Sequence, residues 1–226
     1  MKKEDIIRGE FTYSYKNSEA NALLVQPVGK QELAALDKEV EAIKTLTNTP
    51  FSLLAFAVYD WNDSLSPWEA PAVFGNEGFG SGAERTLKFL TGSLLSGLGE
   101  EGKTKYFLGG YSLAGLFALW SAYRTDKFDG VAAVSPSVWF PGWKEFAETH
   151  EIFAPQVYLS LGDKEEKTRN KTMSAVGDNI RHQYALLQKT DAVKRCLLEW
   201  NPGNHFAEPL LRTAKGFAWL LDSEGE

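Results

Sequence analysis

The sequence predicts a three-layer α/β/α sandwich on a mostly parallel sheet, spanning residues 1–226 as one domain. Three observations lead there. Strand-like and helix-like segments alternate along nearly the whole chain. Several strand segments are almost continuously apolar, as strands buried on both faces must be. Amphipathic segments separate them, and right-handed crossovers through such helices cover both faces of the sheet.

The elements follow in order. Residues 10–16 and 21–26 read as two short strands, joined as a hairpin through Asn17. Residues 30–46, KQELAALDKEVEAIKTL, carry apolar residues at helical spacing, and Pro50 lies just beyond their end. FSLLAFAVYD (51–60) is a buried strand, followed by a long polar and aromatic loop from Trp61 to Gly82 and a helical stretch over 83–97. KYFLGGYS (105–112) is a second buried strand, and the helix LAGLFALWSAYR (113–124) begins at once behind it. VAAVSPS (131–137), QVYLSLG (156–162) and RCLLEWN (195–201) are the later strands. Helices over 142–149, 170–190 and 206–222 alternate with them. In such sheets ligands bind beyond the carboxyl ends of the strands, so functional residues are expected just after strands.

Bulk properties narrow the function classes. The chain has 43% apolar and 24% charged residues, ordinary for a soluble globular protein. A net charge of −6 argues against a groove that tracks nucleic-acid phosphates. No stretch approaches the ~20 apolar residues of a membrane span, and MKKEDIIRGEF lacks the apolar run of a secretory leader. A single cysteine, Cys196, allows no intrachain disulfide. The expected location is the cytoplasm. Cys196 reads as a buried strand residue, and without a Cys/His cluster no metal site is expected.

The chemistry concentrates at Gly109-Gly110-Tyr111-Ser112-Leu113-Ala114-Gly115, where a strand turns directly into a helix. A serine on such a turn has a strained backbone and an exposed hydroxyl, and needs small neighbours to let strand and helix approach. Gly110, Ala114 and Gly115 meet that need. Leu113, first in the helix, would offer its N–H to an oxyanion. A nucleophilic serine needs a base, and there are three histidines. His150 ends a short surface helix and His182 lies within the helix 170–190, whereas His205, in Asn-Pro-Gly-Asn-His after the last strand, stands where a base would. An acid is expected after 156–162, where the chain reads Gly162-Asp163-Lys164-Glu165-Glu166. In related folds a G-x-x-[D/E] turn carries the acid here, which favours Glu165 over Asp163, and Asp163 over Glu166. A serine–histidine pair without a strong acid stays open.

These residues resemble the esterase D-like group of α/β-hydrolases, relatives of trilactone-siderophore and feruloyl esterases. The resemblance rests on GGYSLAGLFALW (109–120), VAAVSPSVWF (131–140), LSLGDKEE (159–166), GNHF (203–206) and DWNDSLSPWEAPAVF (60–74), and runs from about residue 50 to the C-terminus. It implies an α/β-hydrolase fold without a large lid, a serine esterase activity, and Glu165 as the acid. It also implies a second oxyanion donor from the loop after 51–60, Trp61 first and Asn62 next. Ala114 departs from the group's usual glycine but is still small. Trp61, Trp68, Trp139 and Trp143 all follow strands and either line a substrate cleft or cap the core edge; Trp68 and Trp139 are carried as substrate-binding candidates.

Gly97-Leu98-Gly99-Glu100-Glu101-Gly102-Lys103-Thr104 matches the phosphate-binding pattern G-x-x-x-x-G-K-[S/T]. That motif works between a strand and a following helix. Here a helix precedes and a strand follows, and two glutamates occupy the place of the phosphates, so the segment reads as a turn with Gly99 or Gly102 ending the helix. The expected function is hydrolysis of a small-molecule ester through an acyl-enzyme on Ser112, with no cofactor and neither nucleic acid nor membrane as partner. Acyl transfer or thioester cleavage at the same site, and a non-catalytic binding module on the same fold, are the alternatives.

Overall fold

The computed structural model describes residues 4–98 and 102–222. Among these, eight strands form one sheet in the order β1-β2-β4-β3-β5-β6-β7-β8. They are β1 (Glu4–Arg8), β2 (Thr12–Asn17), β3 (Ala22–Gly29), β4 (Ser52–Val58), β5 (Lys105–Tyr111), β6 (Gly130–Val134), β7 (Gln156–Gly162) and β8 (Arg195–Asn201). From β3 onward all pairings are parallel, while β1 and β2 join antiparallel at one edge. The mostly parallel sandwich expected from the alternation is therefore what the chain forms.

Alternate residues of each inner strand enter different cores. Leu23, Val25, Leu54 and Phe56 join one cluster, and Leu24, Leu53 and Ala55 the other. The first is covered by α3 (Ala83–Phe89), α4 (Leu113–Ala122), α5 (Trp143–Thr149) and α7 (Val176–Leu187). The second is covered by α1 (Leu36–Leu46) and α8 (Pro209–Leu221), packed against each other. All ten residues of α4 are buried, so the helix behind Ser112 is enclosed all round. Two single-turn helices complete the set, α2 (Trp61–Ser64) and α6 (Lys171–Ser174).

Two expectations need correction. The strands at 10–16 and 21–26 do not form a hairpin, because β4 lies between them. Asn17–Ala20 does turn the chain, but β4 is apolar on both faces and takes a neighbour on each side, β2 antiparallel and β3 parallel. Turn signals report a reversal, not which strand is inserted beside it. The hairpin partner of β2 is β1, a polar edge strand exposed along its length and so without an apolar period to mark it. Two long helices are also divided. The 30–46 segment starts as a 3₁₀ turn (Lys30–Ala35) before α1, and the 170–190 segment splits into α6 and α7.

The strand order reverses between β3 and β5. From β3 the chain crosses to β4 on one side, then returns to β5 on the other. The crevice at the carboxyl end of that reversal is where open parallel sheets place ligands, and Ser112 follows β5 there.

The approach of α4 to β5 and β6 depends on backbone clearance. A Cβ on Gly115 would meet the carbonyl oxygens of Gly110 and Val134 at 2.9 Å, and one on Gly110 would meet the Ala114 backbone at 2.6 Å. Gly115→Ala is expected to lose about 1–3 kcal/mol of stability, because backbone cannot swing aside as a side-chain tip does. Gly92→Ala, whose Cβ would have nothing within 4 Å, should stay at or slightly above the wild type. Urea unfolding of the two variants checks both.

Candidate active site

Ser112 takes φ 59° and ψ −120°, a left-handed region that non-glycine residues enter only under constraint. The constraint comes from both sides: Ser112 N–H donates to Val134 O at 3.0 Å, and Ser112 O accepts from Ser137 N–H at 3.1 Å. The turn lifts the hydroxyl off the end of β5 and starts α4 directly behind it, with the first-turn N–H groups of that helix left without intrahelical acceptors. Leu113 is the first of them.

Two more loops converge on this hydroxyl. His205, after β8, sets Nε2 3.0 Å from Ser112 Oγ. Glu165, after β7, sets Oε2 2.7 Å from His205 Nδ1. The structure thus brings Ser112, His205 and Glu165 into one hydrogen-bonded line from three separate strand ends. The carboxylate requires the Nδ1–H tautomer, which leaves Nε2 as an acceptor facing the serine. Of the other acidic candidates, Asp163 Oδ1 accepts from Gly203 N–H at 2.8 Å, and Glu166 pairs with Arg181 at 2.9 and 3.1 Å on the surface.

Glu165 is only 8% exposed, and its other oxygen explains how it is held. Oε1 accepts from Ser135 Oγ at 2.7 Å, Gly162 N–H at 2.7 Å and Arg212 Nη1 at 3.1 Å. Burial alone would push this carboxyl up. The His205 hydrogen bond and charge, the Ser135 hydroxyl and the Gly162 N–H outweigh burial and hold it below the ordinary carboxylate value.

Arg212, on α8 and 2% exposed, is the member that sequence reasoning does not reach. Nη1 also donates to Tyr111 Oη at 3.2 Å and Ser135 Oγ at 3.3 Å, while Nη2 donates to Pro202 O at 2.9 Å and Asn204 O at 3.1 Å. Tyr111 Oη in turn donates to His205 O at 2.6 Å. One guanidinium thus ties Glu165 to the turn that carries His205. A signal exists: arginine stands in the stripe of α8 that also buries Thr213, Gly216, Phe217 and Leu220. An arginine at a core-facing position needs a buried partner.

Two cavities flank the Ser112–His205 pair. One, about 460 Å³, is lined by His205, Phe206, Trp139, Met173 and Val176 among others, with Phe206 85% exposed at its edge. The second, about 220 Å³, holds Ser112, Tyr111, Trp61, Val28, Glu39 and Leu210 on its walls. Trp139 and Trp61 therefore border the site. Trp68 lines neither cavity: it packs on Phe140 and Phe146, with Nε1 donating to Pro141 O at 2.8 Å. Trp143 is fully buried on Gln183. His150 is exposed and stacks on Phe146, and His182 lies beside Glu148, both away from the serine. Cys196 is half-buried on β8. In the glycine-lysine segment, Gly97 and Gly102 take positive φ, as turn residues do, while Gly99, Glu100 and Glu101 lie outside the described residues.

Comparison with solved structures finds the same architecture elsewhere. The siderophore hydrolase EstB from Aspergillus nidulans superposes with a TM-score of 0.73 at 14% identity, covering 100% of this chain and 98% of its own. The siderophore hydrolase EstA from the same organism gives 0.70 at 16%, covering 97% and 93%. An IroE-like serine hydrolase from Shewanella oneidensis gives 0.75 at 16%, covering 97% and 80%. Likeness at these identities establishes a shared α/β-hydrolase fold. No protein-family model matches the chain, and no curated protein matches it in sequence.

The lowered pKa of Glu165 sets a direction for stability against pH. Its ionised form contributes fully above the ordinary carboxylate value of about 4.3, and the contribution is lost as pH falls through the lower folded value. Glu165→Gln should cost about 3–5 kcal/mol at pH 7, because Arg212 loses its charge partner in the interior. Urea unfolding of both proteins from pH 7 down to pH 3 should show that deficit whole above the ordinary carboxylate value and narrowing below it, as pH falls toward the lower folded value.

Proposed function

We propose that the protein is a single-domain serine hydrolase that cleaves carboxylic esters of small molecules through an acyl-enzyme on Ser112. The observation that carries this reading is the unbroken line Glu165–His205–Ser112, with bonds of 2.7 and 3.0 Å. His205 Nε2 takes the Ser112 proton as Oγ attacks the ester carbonyl. Glu165 keeps the imidazole in the required tautomer and stabilises the imidazolium as it forms. The imidazolium then protonates the leaving alcohol, and water attacks the acyl-enzyme with His205 again as base. No cofactor enters these steps.

The tetrahedral oxyanion needs two donors. Leu113 N–H, at the start of α4, is the first. On the facing wall of the cavity Pro27 has no N–H to give. Trp61 and Val28 both lie on that wall, and Trp61 is the second donor that the family resemblance favours. A single half-buried cysteine fits a reducing compartment, and the cytoplasm is the proposed location. The siderophore hydrolysis named for EstA and EstB puts siderophore-type esters in the first substrate panel.

A fluorophosphonate probe with peptide mapping tests the reading directly. Wild type should label stoichiometrically at Ser112, Ser112→Ala not at all, and His205→Ala roughly a thousandfold more slowly or worse, as expected when the activating base is lost. A folded wild type that does not label would assign the chain to the non-catalytic binding module instead.

A further inference from the structure

The position of the base distinguishes the two cavities. A leaving alcohol must come within reach of His205 Nε2 to receive its proton, so the cavity lined by His205 and Phe206 suits the alcohol. The other cavity, lined by Ser112 and Trp61 but not by His205, is left for the acyl group.

That acyl cavity has an unusual inner wall. β3 and β5 pair only as far as Val25↔Leu108, while β3 continues beside β4 to Gly29↔Val58. The cavity occupies the region where β3 and β5 no longer pair, and α1 contributes Glu39 to it. Glu39 is 6% exposed. One of its oxygens accepts from Gln26 Nε2 at 2.8 Å, and the other has no hydrogen-bond partner among the described residues. Glu32 stands exposed on the same wall. The described lining contains no lysine, arginine or histidine.

We propose that this cavity receives an acyl chain ending in a primary ammonium group, which Glu39 binds through its free oxygen while Gln26 holds the carboxylate in place. The inference rests on the hydrolase reading for its substrate, but the binding site stands on its own geometry. Gln26 is one residue beyond the last β3–β5 pair, Val25↔Leu108, and Ser112 four residues beyond it, an offset of three residues or roughly 10 Å at the rise of a parallel strand. Allowing for an ion-pair contact, the spacer between carbonyl and nitrogen is about five carbons, as in an ε-aminocaproyl ester. Charged and titratable groups around Glu39 agree. Gln26 faces it from β3, Glu32 from the 3₁₀ turn and Tyr111 from β5, while α8 brings Leu210 and Thr213, so no neighbour supplies a positive charge. Burial accordingly pushes its carboxyl up to about 8, the Gln26 hydrogen bond countering in part and the Glu32 charge adding to the rise. At that value the carboxyl of the empty cavity is largely protonated near pH 7, and a bound ammonium supplies the counter-charge on which it ionises, its proton passing to solvent.

Two measurements test this. The first compares kcat/KM for the p-nitrophenyl esters of ε-aminocaproate and heptanoate, which differ by an ammonium in place of a terminal methyl. Wild type should prefer the amino ester by about tenfold or more, the range of a hydrogen bond to a charged group, and Glu39→Gln should bring the ratio to about one. The second is calorimetric binding of n-hexylamine against n-hexanol to wild type, which needs neither turnover nor a variant; the amine should bind and the alcohol should not. If heptanoate is cleaved but the amine has no advantage in either measurement, or its advantage survives in Glu39→Gln, the inference is overturned and the hydrolase reading stands. If hexanol binds as well as hexylamine, the cavity takes neutral groups and the inference is likewise overturned. If Ser112 fails to label and neither ester is cleaved, yet hexylamine binds through Glu39, the hydrolase reading fails and the ammonium site stands.

Discussion

The buried pair of Arg212 and Glu165 is the interaction on which the site geometry depends. Removing two charges from water is costly, and only further hydrogen bonds to both ions recover that cost. Here they are present. The guanidinium donates to Tyr111, Ser135, Pro202 and Asn204 besides the carboxylate. The carboxylate divides its work: Oε1 takes the Ser135, Gly162 and Arg212 donors, and Oε2 is left for His205. Because Oε1 is held from three directions, Oε2 has one position, and so does the imidazole that bonds to it. Asp163 adds a second tie across the same two loops through Gly203 N–H, and Lys164 N–H a third through Gly203 O. Glu165 and His205 thus belong to loops that are bound to each other before either reaches Ser112.

The serine is fixed by a different means, close packing. Its backbone conformation is unfavourable in isolation, and it is retained because Val134 and Ser137 hold the turn and because α4 is buried on every side. Small residues at 110, 114 and 115 are consequences of that packing, as the 2.6–2.9 Å clearances around Gly110 and Gly115 require. Gly162 repeats the pattern beside Glu165, where a Cβ would lie 2.4 Å from Gly203 O. The strand order then delivers all three groups to one end of the sheet, at the point where the chain reverses direction between β3 and β5.

What was legible in the sequence follows from these causes. Local steric demands leave local marks: the glycines of the elbow, the apolar runs of β4 and β5, and a histidine directly after the last strand can all be read without neighbours. Glu165 needed more than residue type, since Asp163 and Glu166 are also acidic; its role comes from Ser135, Gly162 and Arg212, which meet only in three dimensions. Arg212 itself left a trace, a charge on the buried stripe of α8, but its partner is 47 residues away. Edge strand β1 and the insertion of β4 beside β2 were not legible, because a polar strand has no period and pairing order is not encoded in any one segment. Trp68 read as a cleft residue for the same reason. A tryptophan after a strand looks alike whether it faces substrate or, as here, rests on Phe140 and Phe146.

Two buried carboxyls stand on opposite sides of Ser112, and their environments drive them apart. Glu165 has an imidazole, a hydroxyl and a backbone N–H as partners, and its pKa falls despite burial. Burial pushes Glu39 up to about 8, one amide partner offsetting part of the rise and the Glu32 charge adding to it. Carboxyls so separated can take separate roles at one pH. Glu165 needs nothing further, since its charge is balanced within the fold. Glu39 has no counter-charge and is largely protonated near pH 7, and an apolar side chain of similar volume would fill its place against β3 without burying a polar group. Packing therefore does not account for a carboxyl at this position. Glu39 lines a cavity that also holds Ser112, and a group that completed its second oxygen would come from whatever enters there.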